Sequence, residues 1–265
     1  MSAAVEVEQL LGTSPRRHAL RHTRWRLADL GQVIPWLAGK SVPGIRRVLH
    51  VLNFGRKQAQ KFVRSPDPWF DCKWRAILRA YAQAVAQPEQ VVLVWLDEVS
   101  FYRQPSVAPA YHRRGAGQQP YARQQPGANT QTRVLGGLNA LSGQVVYHTW
   151  SQVTLPHFCA FASQLRQAYP QAQTIYVVLD NWPTHTSPQA LAAFAQQRLT
   201  PLFLPTYASW LNPIEKLWRW LRQEVIHLHE QATDLAALRQ AVRDFLDRFA
   251  QGSTDLLRYV GLLAG

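Results

Sequence analysis

Two segments leave this chain little freedom in how it can fold: VVLVWL at 91–96 and IYVVL at 175–179, closed by Asp97 and Asp180 respectively. Their apolar residues run at successive positions, where a half-exposed strand would alternate. Strands of this kind are covered on both faces, so the pattern predicts two central strands of a sheet held between layers of helix. The residues after 68 support that plan. A helix is expected around 69–86, and the pair 132–139 and 144–150 reads as a hairpin turning at Leu141-Ser142-Gly143. Helical periodicity returns over 154–169, through Leu155, Phe158, Ala162, Leu165 and Tyr169, then again over 188–198, and a short strand follows at 201–204. Asn212 opens a helix with the stripe Ile214, Leu217, Trp218, Leu221, Val225 and Leu228. A last amphipathic helix shows Leu235, Leu238, Val242, Phe245 and Phe249. The fold class is mixed α/β. Both aspartates are expected at the carboxyl ends of central strands, the edge where open α/β sheets gather their ligands.

The N-terminal part differs in kind. Residues 1–24 carry no clear periodicity. From Trp25, the residues Leu27, Leu30, Ile34 and Leu37 recur at helical spacing until Gly39-Lys40 breaks the pattern. Ser41 is then an N-cap, with Pro43 tolerated in the first turn. The helix it opens sets Val42, Ile45, Val48, Leu49 and Leu52 on one face and leaves Arg46, Arg47 and His50 outside. Two short helices joined by a tight Gly turn, the second presenting base-reading side chains, make a helix-turn-helix. The same spacing fits a small helical hairpin with a solvated charged face. Residues 55–68, GRKQAQKFVRSPDP, read as a basic linker, so the expected division is 1–54, 55–68 and 69–265.

Charge narrows the partners. Against 29 Lys plus Arg stand only 16 Asp plus Glu, a formal net charge of +13. A field of that size draws phosphate polymers from a distance, so nucleic acid is the expected partner. A membrane surface fits less well, because no basic amphipathic helix with a wide apolar face stands out. No apolar run approaches the roughly 20 residues needed to span a bilayer, and no signal-peptide segment opens the chain. Cys72 and Cys159 are too few for a disulfide framework or a zinc site, and His227 and His229 would point to different faces of a helix. A cytoplasmic location, associated with the nucleoid, is the expectation.

In so basic a chain three acids stand out: Asp97, Asp180 and Glu215, the last two separated by the thirty-four residues 181–214. Each has an ordinary reading. An aspartate closing a strand caps the amides of its own turn. Asn212, Pro213 and Glu215 spell a capping box in which the glutamate reaches back to the cap amide. Taken together they allow something else. Two central strands ending in Asp and a Glu on the first turn of a later helix can converge. Magnesium binds through a few carboxylates plus waters and phosphate oxygens, and two ions about 3.5–4 Å apart serve both the attacking and the leaving oxygen of one displacement. No Gly-rich phosphate loop offers an alternative chemistry.

The series LDE (96–98), LDNWPTH (179–185) and LPTYASWLNPIEKLW (204–218) closely resembles the transposases of bacterial insertion sequences. The likeness is to the IS-six-thirty family, within the mariner superfamily of DDE transposases. There the third motif usually reads like LPPYSPELNPIE; this chain keeps LP-x-Y and LNPIE around a changed middle, with the same spacing from the second aspartate. The resemblance runs from about Trp25 to the last helix. It implies an RNase H-like catalytic domain built on a mixed five-stranded sheet, preceded by a helix-turn-helix. Related transposases usually carry another helix-turn-helix upstream, so residues 1–54 are expected to hold part of the end-recognition region. The resemblance further implies cleavage at terminal inverted repeats with two magnesium ions, for which manganese can substitute. Strand transfer into target double-stranded DNA, typically at TA, would follow within a homodimer. Carried over residue by residue, Asp97, Asp180 and Glu215 become catalytic metal ligands, with Asp97 bridging. Asn181 and His185 fall near the site in supporting roles. Glu98 matches the family pattern too, but on a strand its side chain should point away from that of Asp97.

Arg103, Arg113, Arg114, Arg123 and Arg133, interleaved with Tyr102, Tyr111 and Tyr121, fill the segment 101–133 with groups suited to phosphate and to unpaired bases. A solvated loop has the same composition. Arg219 and Arg222 fit phosphate contacts or ordinary surface charges, and Trp182 fits either a stacking residue or core. Two rivals to a transposase remain at this level: a catalytically idle DNA-binding remnant of one, and a stand-alone nuclease of RNase H-like fold.

Overall fold

The computed structural model describes residues 2–57, 64–115 and 117–264. The chain divides into two units, Met1–Phe62 and Val63–Gly265. Of the expected linker, residues 58–63 lie outside the described residues.

The first unit is helical: α1 (Ala3–Leu11), α2 (Leu27–Val33) and α3 (Val42–Val51). Its core is Val7, Leu30, Ile34, Leu37, Ile45 and Leu49. α1 was not legible in the sequence; the Ser2 hydroxyl caps it at Val5 N, and Val7 is its buried contribution. The helix expected to run on to Leu37 stops at Val33 instead. Ile34 precedes Pro35 and is extended, and Pro35–Leu37 forms a separate 3-10 turn. α3 begins as expected, with Ser41 Oγ accepting from Gly44 N at 3.3 Å. Arg46, Arg47 and His50 are exposed on it. Val42, expected on the buried face, is also exposed.

The second unit opens with α4 (Phe70–Ala86) and is built on a five-stranded mixed sheet of order β3-β2-β1-β4-β5. The strands are β1 (Val91–Tyr102), β2 (Gln131–Asn139), β3 (Val145–Trp150), β4 (Thr174–Leu179) and β5 (Leu199–Phe203). β1 and β4 pair in parallel at the centre, as do β4 and β5, while β1–β2 and β2–β3 are antiparallel. α5 (Leu155–Ala168) and α6 (Pro188–Gln196) cover one face. α4, α7 (Ile214–Leu221), α8 (Leu235–Asp247) and α9 (Thr254–Val260) cover the other. Alternation along β1 sorts its side chains: Leu93, Trp95, Val99 and Phe101 enter the core beneath α7 and α8, whereas Val92, Val94 and Leu96 enter the one beneath α5.

Three expectations need correction here. Asp97 does not end its strand. β1 runs on to Tyr102 because β2 pairs with it from Val94 to Tyr102, but β4 accompanies it only from Val91 to Trp95. Asp97 therefore sits where the parallel neighbour leaves off. The helix expected to run from Asn212 through Leu228 ends in a π-turn, Arg222–Ile226, after which Leu228 takes a left-handed φ of 54° and its N–H donates to Ser106 O at 3.0 Å. A tertiary pairing thus interrupts a good helical stripe, and neither His227 nor His229 is helical. α9 is the third correction, an element not anticipated after the last amphipathic helix.

Candidate active site

A cleft of about 440 Å³ opens at the carboxyl end of β4, and Asp97, Asp180 and Glu215 all line it. Each arrives from a different element. Asp97 projects from β1 toward α7, on the face shared with Trp95 and Val99. Asp180 follows Leu179, the last residue of β4. Glu215 is in the first turn of α7.

α7 is held against β1 at its start. Asn212 Nδ2 donates to Leu96 O at 3.1 Å, next door to Asp97, and Asn212 is buried. The capping box expected at this helix is not formed: α7 begins one residue later, and the Asn212 N–H is engaged with Ser209 O at 2.9 Å. One turn on, Trp218 is fully buried yet donates its indole N–H to Asp97 Oδ2 at 3.0 Å. Opposite Asp97 across the β1–β2 ladder stands Gly136, and a Cβ there would lie 2.5 Å from Cη2 of Trp218. Glycine leaves the room in which the indole lies over the sheet and reaches the carboxylate.

The second motif supports Asp180. His185 is buried, stacked on Phe158 with ring centroids 4.5 Å apart, and its Nδ1–H donates to Asp180 Oδ1 at 2.7 Å. Its Nε2 faces Glu98 Oε1 at 3.7 Å, and Arg133 Nη1 stands 3.6 Å from Oε2 of the same carboxylate. Glu98 thus lies on the opposite face of β1 from Asp97, as strand geometry requires. Trp182 N donates to Asp180 Oδ1 at 3.1 Å, while Asn181 Nδ2 donates to Leu204 O at 2.7 Å and ties β4 to the segment after β5. Trp182 is 61% exposed at the cleft, which removes the core reading for it.

These surroundings act unequally on the acids. Burial, then repulsion from Glu215 and Asp180, pushes the Asp97 carboxyl up to about 7. Burial also raises Glu215, with Arg222 and Arg219 offsetting part of the effect. For Asp180, burial is outweighed by the His185 hydrogen bond and the Trp182 amide, which hold it below its usual value. Burial works against the His185 charge too, but Asp180 and Glu98 raise it to about 9. Asp97 and Glu215 crowd a partly enclosed space that their own charges make unfavourable, the condition a hard cation relieves. The donor set is all carboxylate oxygen, as magnesium prefers. Among the described residues, no three His, Cys, Asp or Glu side chains are gathered closely enough to hold a metal ion by themselves.

The other expected contacts lie elsewhere. Arg46, Arg47 and His50 belong to the helical first unit. Arg113 and Arg114 are exposed in the long connection between β1 and β2. Arg103 of that connection is not available to phosphate. Its guanidinium donates to the carbonyls of Ala128, Gln125, Pro126 and Ala232, folding the connection onto the body of the unit. Trp218, Gly136 and Asn212 escaped the reading of the sequence. Trp218 there is one member of an apolar stripe, and only the Asn-Pro pair before Ile214 hints that Asn212 does more than start a helix.

A mixed sheet with one acid on β1 and another just after β4, faced by a third on a packed helix, defines a DDE superfamily endonuclease: residues 92–239 match the model of that family, and the chain belongs to it. Its likeness is to mobile-element proteins. Over 244 residues it is 24% identical to the insertion element IS630 uncharacterized 39 kDa protein of Shigella sonnei, covering 91% of this chain and 69% of that protein. Among solved structures it resembles the Mos1 transposase paired-end complex with left transposon end at a TM-score of 0.64 and 14% identity, covering 98% of this chain and 75% of that one. It resembles the Mos1 strand transfer complex at a TM-score of 0.64 and 13% identity, with coverage of 98% and 74%. The second unit accordingly has the RNase H-like fold.

Proposed function

We infer that this protein is the transposase of an insertion sequence, cutting DNA at the element's terminal inverted repeats and joining the freed ends to target DNA. The observation that carries this reading is the meeting of Asp97, Asp180 and Glu215 in one cleft from three separate elements. In the cleavage step, water adds to the scissile phosphorus, the P–O3′ bond breaks and the leaving oxygen takes a proton, leaving a 3′-hydroxyl. In the joining step that hydroxyl attacks a target phosphate, exchanging one phosphodiester for another with no external energy source. Asp97, Asp180 and Glu215 would hold a pair of magnesium ions, with manganese serving in their place, and such ions activate the nucleophile and stabilise the leaving oxygen. The Mos1 relatives include paired-end complexes with Mn and with Mg, in keeping with that choice.

The chain's own groups prepare the site. Trp218 holds Asp97 by Oδ2 and His185 holds Asp180 by Oδ1, the arrangement by which outer partners aim ligands. Asn181 and Asn212 fix the two ends of the segment between β5 and α7. Arg46, Arg47 and His50 on α3 are assigned to DNA-end contacts in the first unit, with residues 55–68 as linker and 69–265 as the catalytic region. Arg113 and Arg114 are assigned to phosphate contacts. Two ends must be brought together for a productive cut-and-join, so a homodimer on DNA is the working assembly.

The test is cleavage of labelled DNA carrying the element's ends, with magnesium and with EDTA, for the parent and for Asp180→Asn. Metal-dependent nicking and joined products from the parent, both lost in the variant, are expected. Tight binding without any cut in either protein would replace this reading with an idle DNA-binding remnant, and cutting without joining would replace it with a nuclease.

A further inference from the structure

One acid that the cleavage site does not use is almost enclosed. Asp67, from the RSPDP stretch, has a side chain only 3% exposed. Its Oδ2 accepts from Lys73 Nζ at 2.8 Å, from Thr206 N at 2.8 Å and from Thr206 Oγ1 at 3.2 Å, and its Oδ1 accepts from Trp69 N at 2.9 Å. Two residues earlier, Ser65 Oγ donates to Thr206 O at 2.6 Å. The Lys73 hydrogen bond and the Thr206 and Trp69 amides hold the Asp67 carboxyl well below the usual carboxylate range, although burial works the other way. All the polar groups of Thr206 are therefore engaged by residues 139 and 141 positions away.

Thr206 is not an arbitrary surface residue. It lies within the segment 204–212, which walls the cleft holding the three carboxylates and leads directly into α7 and Glu215. Leu204 at one end of the segment is pinned by Asn181, and Asn212 at the other pins itself to β1. Between them Tyr207 holds a left-handed φ of 55° with its side chain 76% exposed, a backbone state that tyrosine enters only under constraint. Among the described residues, the hydrogen bonds reaching 205–209 from outside the segment come from Ser65 and Asp67 alone. The motif that this segment resembles has proline at the positions of both Thr206 and Ser209. Proline fixes φ and offers no N–H. Here both rings are absent, and the N–H present at Thr206 is the one that Asp67 binds.

We propose that Asp67, seconded by Ser65, is a positioning residue for DNA cleavage: it clamps the segment 204–212 and so keeps Glu215 and the cleft wall in register with Asp97 and Asp180. The clamp does by hydrogen bonding what ring-restricted residues would do by covalent stiffness. This inference rests on the assignment of the three carboxylates as the cleavage site.

Single-turnover and steady-state cleavage of labelled end DNA, with DNA binding and thermal unfolding measured alongside, tests it. Asp67→Ala should lower kcat about tenfold to a hundredfold, the scale of a small misplacement of reacting groups, with DNA affinity unchanged. Adding Thr206→Pro to that variant should restore most of the loss. Thr206 is not in the left-handed region, and a proline there limits the freedom that the missing carboxylate released. Parental kcat in Asp67→Ala would overturn the proposal, as would a loss shared equally by DNA binding and left untouched by the added proline. Should Asp67→Ala fail to fold, Asp67→Asn, equal in shape and weaker as an acceptor, is read the same way. Asp180→Asn run in parallel separates the two levels. If it cuts like its parent, the site assignment falls and the clamp with it; if it is inactive while Asp67→Ala is unimpaired, the clamp alone falls.

Discussion

Gly136 shows how much a single position can carry at this site. It pairs across the ladder with Asp97 and leaves room for the Trp218 ring, whose N–H holds the Asp97 carboxylate. Gly136→Ala would drive a methyl into that ring. Overpacking of this kind costs about 1–3 kcal/mol, and here it would also turn the indole away from Asp97. Loss of cleavage greater than the loss of thermal stability can explain is the expected outcome, read by comparing unfolding with nicking rate. Asp67 supplies a pH prediction at the same scale. Its folded pKa lies below its unfolded value near 3.8, so its contribution to stability is present above that value and fades as pH falls through the folded pKa. The stability difference between the parent and Asp67→Asn should therefore be constant from neutral pH to about 5 and shrink below about 4 in denaturation titrations. A difference that grew on acidification would contradict the assignment of the ionised, clamped carboxylate.

At the scale of elements, α7 decides whether the site exists. Its apolar side, Ile214, Leu217, Trp218 and Leu221, is buried against the sheet, and its first turn is fastened to β1 by Asn212. Asn212→Ala leaves the Leu96 carbonyl without its buried partner, which costs about 1–3 kcal/mol. Because Leu96 adjoins Asp97 and Asn212 leads into Glu215, cleavage should fall further than stability, with the shortfall seen in kcat at saturating DNA. The same helix shows why its far end was misread from sequence. Val225 and Leu228 continue a good stripe, but Leu228 N–H is taken by Ser106 from a connection more than a hundred residues earlier. Periodicity reports the preference of a segment for one face; it carries no account of a partner arriving from elsewhere.

For the molecule as a whole, the charge of +13 is a statement about binding. Each phosphate neutralised on duplex DNA releases condensed counterions, so log K against log salt should fall with a slope of about −0.9 per contact. A steep slope that becomes shallower by about one such unit in Arg46→Ala, measured by anisotropy on end DNA, would place that residue on phosphate. A salt-independent affinity would rule out the nucleic-acid reading. No helix among the described residues is long and apolar enough to cross a membrane.

The sheet at the heart of the second unit was legible because unbroken apolar runs have no other stable use in an α/β layer, and Asp97 and Asp180 were legible because they end those runs in a chain poor in acids. The LNPIE stretch with its spacing brought in Glu215. By itself, then, the sequence determined the layer architecture, the candidate acids and the sign of the partner's charge, all of which follow from local pattern and composition. Only the tertiary structure decided that β1 outruns β4 and leaves Asp97 inside a strand. It alone showed a tryptophan counted as core also holding Asp97, and an arginine suited to phosphate spent on backbone carbonyls. The enclosure of Asp67 over the cleft wall was equally out of reach. These depend on which distant groups meet, and a hydrogen bond between residues more than a hundred positions apart leaves no periodicity in the chain that makes it.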